Sequence, residues 1–323
     1  MSGSDLSSAA PPSPSDQLAE DYEALRHSVG AVTVARDVVL VSGPDAVDYL
    51  QGQCSQDVDA LEIGGSADAL LLTPQGKLDA LVRVTRSGAD DLLVDVDAGY
   101  GAAVIARLAR FKLRVKVEIG PIDWRVEALR GPEAEALVDG ASPPPGTAFT
   151  VSYRWGTVTG VDLLGAEPRI PPPVRRCGPD AWQTLRVEAG IPVMGAELDE
   201  RTIPAEAGLL ERCVSFTKGC YTGQELVARL DARGNKVARR LRAVAVDPAP
   251  GTGVIIRPGA EVSVGDKVVG RLTSVAWSPG LGTVVALCYL HRQVEPPCAV
   301  RVQAESSAGG TVTGRALGLP LAL

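Results

Sequence analysis

Short valine-rich segments separated by glycine and proline fill the C-terminal part of the chain, and they restrict its fold more than any other feature of the sequence. Beyond Arg242 the turn residues recur at short intervals, at Pro250-Gly251, Pro258-Gly259, Val264-Gly265-Asp266 and Pro279-Gly280. Short strands joined by tight turns at this spacing are typical of a small antiparallel barrel or sandwich. We therefore predict a C-terminal antiparallel β-barrel over residues 243–323, with the domain boundary near residues 240–246.

The residues before this boundary combine strands and helices without a fixed repeat, which predicts an α+β fold with two subdomains over residues 19–242. The segment Lys112–Val117 alternates strictly between basic and apolar side chains. It is predicted to be a half-buried strand with three cations on one face, which either contact a polyanion or face solvent. Residues 1–18 are rich in Ser, Ala and Pro and are predicted to form a disordered tail rather than a signal peptide.

Composition excludes several functional classes. The 323 residues are 45% hydrophobic and 22% charged, as in ordinary globular proteins, so the chain can bury a substantial core. Aromatic residues make up 4% and the formal net charge is -7, so direct nucleic-acid binding is not expected. Two histidines are too few for most zinc hydrolases, and no metal site is predicted.

No run approaches the roughly 20 apolar residues that span a bilayer, so no membrane partner is expected. Six cysteines without a C-x-x-C pair indicate reduced thiols, and we predict a cytoplasmic monomer.

The strongest motif is Lys218-Gly219-Cys220-Tyr221-Thr222-Gly223-Gln224-Glu225. Thr222 and Glu225 have the spacing of a capping box, which predicts a helix that begins at Thr222. Cys220 would then lie just before the positive end of a helix and two residues after the Lys218 ammonium, and both groups favour a thiolate. We therefore predict Cys220 and Lys218 as catalytic residues. The alternative is that Cys220 is a small buried residue in a tight loop, which is the interpretation preferred for the other five cysteines.

The stretch Phe216–Arg229 resembles the K-G-C-Y-x-G-Q-E signature of the YgfZ family, whose members are folate-binding relatives of the aminomethyltransferase (T-protein) of the glycine cleavage system. Further segments that resemble the family occur in the same order between about Val38 and Arg240. They are Gly43-Pro44-Asp45-Ala46, Leu50-Gln51-Gly52-Gln53, Pro74-Gln75-Gly76-Lys77, Arg186-Val187-Glu188-Ala189-Gly190-Ile191-Pro192 and Ile203-Pro204-Ala205-Glu206.

The resemblance implies T-protein-like folate-binding α/β subdomains in a ring-like arrangement with the C-terminal barrel. It also implies that tetrahydrofolate, or another reduced folate, binds in a central channel. Glu188 and Glu206 match positions at which the T-protein family presents carboxylates to the pterin, and a carboxylate can accept two parallel N–H bonds from an aminopyrimidine edge. A surface or capping role is the alternative for both glutamates. The other cofactor-binding residues that the resemblance implies are Gly219, Tyr221, Gly223, Gln224, Glu225 and Arg229.

The YgfZ family is associated with assembly or repair of iron–sulfur clusters in selected enzymes, including radical enzymes that modify tRNA. The resemblance therefore implies a folate-binding accessory protein that uses Cys220 beside the tetrahydrofolate site and binds iron–sulfur client or assembly proteins transiently. A lone thiol cannot hold a cluster permanently, since clusters normally take four thiolates. Two alternatives stay open. One is a folate-dependent aminomethyl or one-carbon transferase with Asp95 and Asp97 as candidate acid–base groups, and the other is a non-catalytic, folate-liganded interaction module.

Six cations lie in the helix of the motif and just beyond it: Arg229, Arg233, Lys236, Arg239, Arg240 and Arg242. They would bind the polyglutamate tail of a folate or the acidic surface of a partner. The alternative is that they simply face solvent.

Overall fold

The structure is a computed structural model that describes residues 16–138, 143–246, 255–305 and 310–322. Within these ranges it contains two five-stranded sheets, a closed six-stranded barrel and six α-helices. Most of the predicted tail and the Pro250-Gly251 turn lie outside the described residues. The last residues of that predicted tail, from Asp16 on, belong to the first helix instead.

The first sheet has the strand order β10-β1-β7-β9-β8, and all neighbours are antiparallel except β1 and β10. Its strands are β1 (Gly30–Val34), β7 (Arg125–Arg130), β8 (Phe149–Trp155), β9 (Val158–Gly165) and β10 (Arg175–Arg176). Two helices, α1 (Asp16–His27) and α4 (Pro179–Ala189), pack on it through a buried apolar core. Helix α4 ends as expected for its sequence, because Gly190 adopts the left-handed conformation that stops a helix.

The second sheet is fully antiparallel, with the order β3-β4-β5-β2-β6. Its strands are β2 (Arg36–Ser42), β3 (Ser66–Leu72), β4 (Leu78–Arg86), β5 (Asp91–Asp97) and β6 (Glu118–Ile122). Helices α2 (Ala46–Gln53) and α3 (Gly101–Arg110) cover one face, and valine and leucine side chains fill the space between them and the strands.

The segment Lys112–Val117 forms no strand, so that prediction is wrong. Pairing with β2 begins only at Glu118. Before it, Arg114 has a φ of +56° and Leu113 is 78% exposed. A strand needs a neighbour to satisfy its backbone groups, and this segment has the alternating pattern without such a neighbour.

The C-terminal barrel is closed and antiparallel, with the order β11-β14-β13-β12-β15-β16, which confirms the predicted architecture. Its strands are β11 (Arg239–Val246), β12 (Glu261–Val264), β13 (Lys267–Ser278), β14 (Thr283–His291), β15 (Cys298–Ala304) and β16 (Gly310–Leu317). The first strand begins at Arg239, slightly ahead of the predicted boundary. Two short helices, α5 (Leu210–Cys213) and α6 (Gln224–Asp231), precede the barrel, and Glu135–Leu137 forms a single 3₁₀ turn.

The two sheets and the barrel each contact the other two, which gives the ring-like arrangement that the resemblance implied. Arg83 of β4 forms an ion pair with Asp162 of β9 and so joins the sheets. A hydrophobic core is shared by β3, β4, β11 and β14. The Glu188 carboxylate of α4 accepts a hydrogen bond from the Ser278 hydroxyl of β13. The space enclosed between the two sheets is called the central cavity below; its lining comes from β1–β5, β7–β9 and α4 with the residues that follow it.

Candidate functional site

The ammonium of Lys218 holds the motif loop, residues 218–225, against the end of α2. Its Nζ donates to the carbonyl oxygens of Gln51, Cys54 and Gln56 at 2.7, 2.9 and 2.7 Å. The carbonyl end of a helix is the end that attracts cations. Burial lowers the pKa of Lys218 because it disfavours the charged ammonium. The three carbonyl acceptors offset part of the free-energy cost of burying that charge. Lys218 is therefore an anchor for the loop in this geometry, and its catalytic role stays a prediction.

Two glycines let the motif loop pack tightly against the turn between β3 and β4. Gly223 has a φ of +84°, and a Cβ at this position would overlap the carbonyl oxygen of Thr73. Gly76 has a φ of +76°, and its Cβ would come within 2.5 Å of the Cβ of Leu226. Two segments that are far apart in the sequence, Pro74–Lys77 and the motif, therefore meet in a contact that only glycine allows.

Cys220 is the exposed thiol of this chain. Of its six cysteines, three are buried, two are half-buried and Cys220 alone is exposed. Burial raises the pKa of Cys54 to about 11 and that of Cys288 to about 12, so both stay protonated near neutral pH. The structure thus excludes the alternative that Cys220 is a small buried residue.

Helix α6 begins at Gln224 rather than at Thr222, so the predicted capping box is wrong. The residue before the helix is Gly223, in the left-handed conformation and without a side-chain cap. Gln224 Oε1 instead accepts a hydrogen bond from the backbone N–H of Tyr221 at 3.1 Å. The contact of Gly223 with the β3–β4 turn fixes the backbone there, and the positive helix end lies farther from Cys220 than predicted.

The remaining motif residues lie around this loop and not in the central cavity. Tyr221 is half-buried, with Lys218 Nζ at 5.4 Å from its ring centroid, and burial raises the pKa of its phenol to about 12. Gly219, Glu225 and Arg229 are exposed. None of residues 218–225, nor Arg229, lines the central cavity. Their role in binding a cofactor therefore stays a prediction.

Glu188 does not line the central cavity, and its role as a pterin ligand stays a prediction. Its carboxylate accepts hydrogen bonds from the Tyr22 hydroxyl, the Arg26 guanidinium and the Ser278 hydroxyl at 3.1, 3.1 and 2.6 Å. The residue is 2% exposed, and burial raises the pKa of its carboxyl group. The Glu188 carboxylate of α4 therefore links this helix to α1 and β13 through hydrogen bonds.

Glu206 lies elsewhere, and the structure does not bring the two glutamates together. Its carboxylate binds Arg239 Nε at 2.9 Å, and its carbonyl oxygen accepts the N–H of Leu241 at 2.8 Å. Glu206 lines a separate cavity of about 350 Å³ beside β11, which we call the barrel cleft. The lining of this cleft also includes Trp155, Glu211, Arg212, Arg240 and Arg242.

Paired charges line the central cavity: Arg36, Arg83, Arg130, Asp68, Asp97 and Asp162. Arg36 Nη1 lies 2.8 Å from Asp97 Oδ1, and Arg130 Nη1 lies 2.7 Å from Asp162 Oδ1. Burial alone would raise the pKa of Asp162, but Arg130 and Arg83 together hold it below its ordinary value. With as many arginines as aspartates in the lining, the cavity suits an uncharged molecule with polar edges.

Aromatic side chains complete the wall of the central cavity. The Arg130 guanidinium lies 3.7 Å from the ring centroid of Tyr153, and Trp155 and Trp182 also line the space. The resemblance implied a central channel, but among the charged and aromatic residues that line this cavity sequence reasoning named only Asp97 as a candidate for chemistry. The available signal was Arg83 in the otherwise apolar stretch Leu81–Val84, because an arginine in a buried strand needs a charged partner.

The structure adds two findings about other classes of site. Among the residues it describes, no group of three or more His, Cys, Asp or Glu side chains is placed to hold a metal ion. Across the same ranges, no helix is long and apolar enough to cross a membrane.

Sequence comparison gives the family. Residues 11–170 match the GCVT N-terminal domain, and residues 239–321 match the glycine cleavage T-protein C-terminal barrel domain. The tRNA-modifying protein YgfZ of Klebsiella pneumoniae is 29% identical over 218 residues, 60% of this chain and 64% of that protein. The chain belongs to the YgfZ-type family of T-protein-related proteins. A match over less than two thirds of the Klebsiella protein leaves the activity of a YgfZ-type protein to be proposed for this chain.

Two other relatives of this YgfZ-type chain match over more of its length. An aminomethyltransferase of Rubrobacter xylanophilus is 29% identical over 85% of this chain and 79% of its own. An iron-sulfur cluster assembly factor IBA57 homolog of Chaetomium globosum is 27% identical over 87% of this chain and 75% of its own. The crystal structure of glycine cleavage system aminomethyltransferase T from Bartonella henselae has a TM-score of 0.76 at 20% identity, covering 94% of this chain and 89% of the other. That likeness confirms the T-protein-like fold.

Proposed function

We propose that this protein is a folate-binding accessory protein for the assembly or repair of iron–sulfur clusters in selected enzymes, among them enzymes that modify tRNA. Cys220 is its reactive thiol, and client or assembly proteins are its transient partners in the cytoplasm, where it acts as a monomer. The observation that carries the proposal is the exposure of Cys220 on a loop that Lys218 and Gly223 fix in place. A cysteine that serves packing alone is normally buried. The names of two relatives, a cluster assembly factor and a tRNA-modifying protein, support the same role.

We place tetrahydrofolate or a related reduced folate at the central cavity, because of the residues that line it. The flat faces of Trp155 and Trp182 suit stacking with a ring system, and the Asp97 carboxylate can accept N–H bonds from the edge of a pterin. The cavity alone, about 80 Å³, is smaller than the roughly 150 Å³ that hold one benzene. An adjoining pocket of about 240 Å³ shares Asp68, Arg83 and Tyr153 with it, and a bicyclic ring would need both spaces.

The thiol role is tested by Cys220→Ser in cells that lack their own YgfZ-type protein. We expect the variant to leave the activity of iron–sulfur enzymes unrestored, although it folds and binds folate like the wild type. Cys298→Ser, at a half-buried cysteine of the barrel, is the matched control and should restore activity. If Cys220→Ser restores activity fully, the proposed role of the thiol is wrong.

The folate role is tested with purified protein and a panel of reduced folates. A ligand that binds only the folded state stabilises it by about 2.7 kcal/mol at a hundredfold excess over its dissociation constant. We therefore expect a dose-dependent rise in the melting temperature with at least one reduced folate, and a smaller rise for a variant with Trp182→Ala. If no reduced folate raises the melting temperature, the central cavity is not a folate site.

A folate-dependent aminomethyl or one-carbon transferase is the second candidate function. It is favoured by Asp97, a half-buried carboxylate that lines the central cavity, and by the similarity to aminomethyltransferases. Asp95 is less suited, because it is fully buried, does not line the cavity, and binds two arginines, Arg36 and Arg83, at 2.7 and 2.9 Å. Turnover of methylenetetrahydrofolate with an amine acceptor, lost in Asp97→Asn, would support this function. A stable partner that is retained after loss of Cys220 and of folate binding would instead favour a non-catalytic interaction module.

A further inference from the structure

The segment that leads from helix α3 to β6 carries a local surplus of positive charge. We call residues 110–116 the basic loop; it has no acidic residue, and its cations are Arg110, Lys112, Arg114 and Lys116. All four side chains are exposed, and none of them forms an ion pair or a hydrogen bond with another residue that the structure describes. The formal net charge of the chain is -7, so this loop has the opposite sign to the protein as a whole.

An exposed leucine lies in the middle of these cations. Leu113 is 78% exposed, the largest value among the large apolar side chains that the structure describes. Val115 and Val117 of the same segment pack against or within the core of the second sheet, so only part of the apolar pattern is turned outward. An apolar side chain surrounded by charged ones has the anatomy of a protein interface, in which a polar rim encloses an apolar centre.

The backbone of the basic loop is fixed at both ends and strained between them. The Arg107 guanidinium lies 4.2 Å from the ring centroid of Phe111, and Asp45 accepts the backbone N–H of Lys116 at 2.7 Å. Between these contacts Arg114 has a φ of +56°, a left-handed conformation that arginine seldom adopts. Strained backbone of this kind is concentrated at functional sites. The loop is therefore a built feature that presents its cations and Leu113 to solvent.

Helix α2 connects the basic loop to the motif loop. Asp45, which binds Lys116, directly precedes this helix, and the Gly52 carbonyl near its other end accepts the N–H of Thr222 at 3.2 Å. A helix rises about 1.5 Å per residue, so the stretch from Asp45 to Gly52 spans roughly 11 Å. A standard interface buries roughly 800 Å² on each partner, which corresponds to a patch roughly 30 Å across. One partner protein is thus large enough to cover both the basic loop and Cys220.

We infer that the basic loop is the docking surface for an acidic partner protein, whose carboxylates surround an apolar pocket that receives Leu113. The inference rests on the proposed function, because this contact places the partner within reach of the Cys220 thiol. Complementary charge also speeds the encounter of two proteins. The net charge of -7 opposes binding to a nucleic acid, and one leucine buries too little apolar area to hold the protein on a membrane.

The test uses full-length variants in cells that lack their own YgfZ-type protein. Lys112→Glu/Lys116→Glu should restore less than about a tenth of the wild-type activity of iron–sulfur enzymes, because like charges that face each other weaken an interface by more than about tenfold. The purified variant should keep its melting temperature, its response to reduced folates and the rate at which iodoacetamide labels Cys220. The matched control is Lys267→Glu/Arg292→Glu, at two exposed cations of the barrel, which should restore activity like the wild type.

The apolar centre of the surface is tested in the same cells. Leu113→Ser should lower the restored activity roughly tenfold, since burial of a leucine contributes at about this level. Ile63→Ser is its control, because Ile63 is 64% exposed and lies outside the basic loop, and it should have no effect.

Photo-crosslinking identifies what binds to the loop. A benzophenone amino acid replaces Leu113 in one protein and Phe216 in another; Phe216 is 53% exposed and precedes the motif loop. We expect both positions to capture the same acidic protein in cells, and a benzophenone in place of Ile63 not to capture it.

The outcomes separate the inference from the proposed function. If Cys220→Ser restores activity, the proposed role of the thiol fails, and the inference fails with it. If Cys220→Ser does not restore activity but Lys112→Glu/Lys116→Glu and Leu113→Ser do, only the inference is overturned. It is also overturned if position 113 crosslinks only to RNA or lipid, or to a protein that position 216 does not capture. Should the charge-reversed variant not fold, Leu113→Ser and the crosslinks decide in the same way.

Discussion

Glu188→Ala should lower stability and leave folate affinity intact. The substitution leaves the Tyr22 and Ser278 hydroxyls and the Arg26 guanidinium without the carboxylate that they share. Removing one partner of a buried ion pair costs about 3–5 kcal/mol. The Arg26 side chain is 16% exposed and can turn toward water, so we expect about 3 kcal/mol, at the lower end of that range. At about 2 °C per kcal/mol for a large domain, the melting temperature should fall by about 6 °C.

Calorimetric melting and folate titration on the same samples measure the two effects. Glu225→Ala is the matched control, because Glu225 is exposed and surface substitutions usually stay within about 0.5 kcal/mol. Glu188→Gln keeps the shape of the side chain and should cost less, about 1 kcal/mol. A Glu188→Ala variant that melts like the wild type but no longer binds folate would refute this reasoning and place the carboxylate on the pterin.

Three other perturbations probe separate parts of the structure. Iodoacetamide should label Cys220 before the buried cysteines in a mass-spectrometric time course, and saturating reduced folate should leave its rate unchanged; strong protection would show that the thiol touches the ligand. Gly223→Ala should cost about 1–3 kcal/mol in urea unfolding because of the positive φ and the overlap with Thr73. Gly219→Ala should lower the stability much less, because a Cβ at position 219 would meet no atom within 4 Å. The pKa of the Glu188 carboxyl group is raised in the folded state, which therefore binds its proton more tightly than the unfolded chain does. Compared with Glu188→Gln, the wild type should lose stability as the pH rises from 4.5 through this raised pKa. Parallel pH profiles of stability for the two proteins would contradict this.

The barrel could be predicted from the sequence because its pattern is local. Glycine and proline mark the turns, and the valines between them have the period of a strand. In the structure the same residues close into six antiparallel strands. Lys112–Val117 shows the limit of this reasoning. The alternation in this segment predicts which side chains would share a face of a strand. The pairing of β2 with Glu118–Ile122 decides where strand β6 begins.

The candidate site was predicted only in part, because residue type does not fix the direction of a side chain. Glu188 has the chemistry of a pterin ligand, but the rotation of α4 turns it toward α1 and β13. The arginines of the central cavity come from three strands, β2, β4 and β7, and no spacing in the sequence connects them. Strand pairing within the second sheet brings Arg36 and Arg83 together on Asp95, and the contact between the two sheets adds Arg130. The exposure of Cys220, by contrast, agrees with the glycine-rich context of its motif.

The β3–β4 hairpin links the motif loop to the central cavity and also keeps them apart. Its turn contacts the motif at Gly76, whereas Arg83 on the same hairpin lines the cavity. A strand rises about 3.3 Å per residue, so Gly76 is separated by roughly 16 Å from Leu81, the nearest residue of this hairpin strand that lines the cavity. Transfer of a group between two atoms requires an approach of about 3–3.5 Å. This geometry favours the proposed reaction of the thiol with a partner protein at the surface, and a folate bound in the cavity would act on the loop through the hairpin that contacts both.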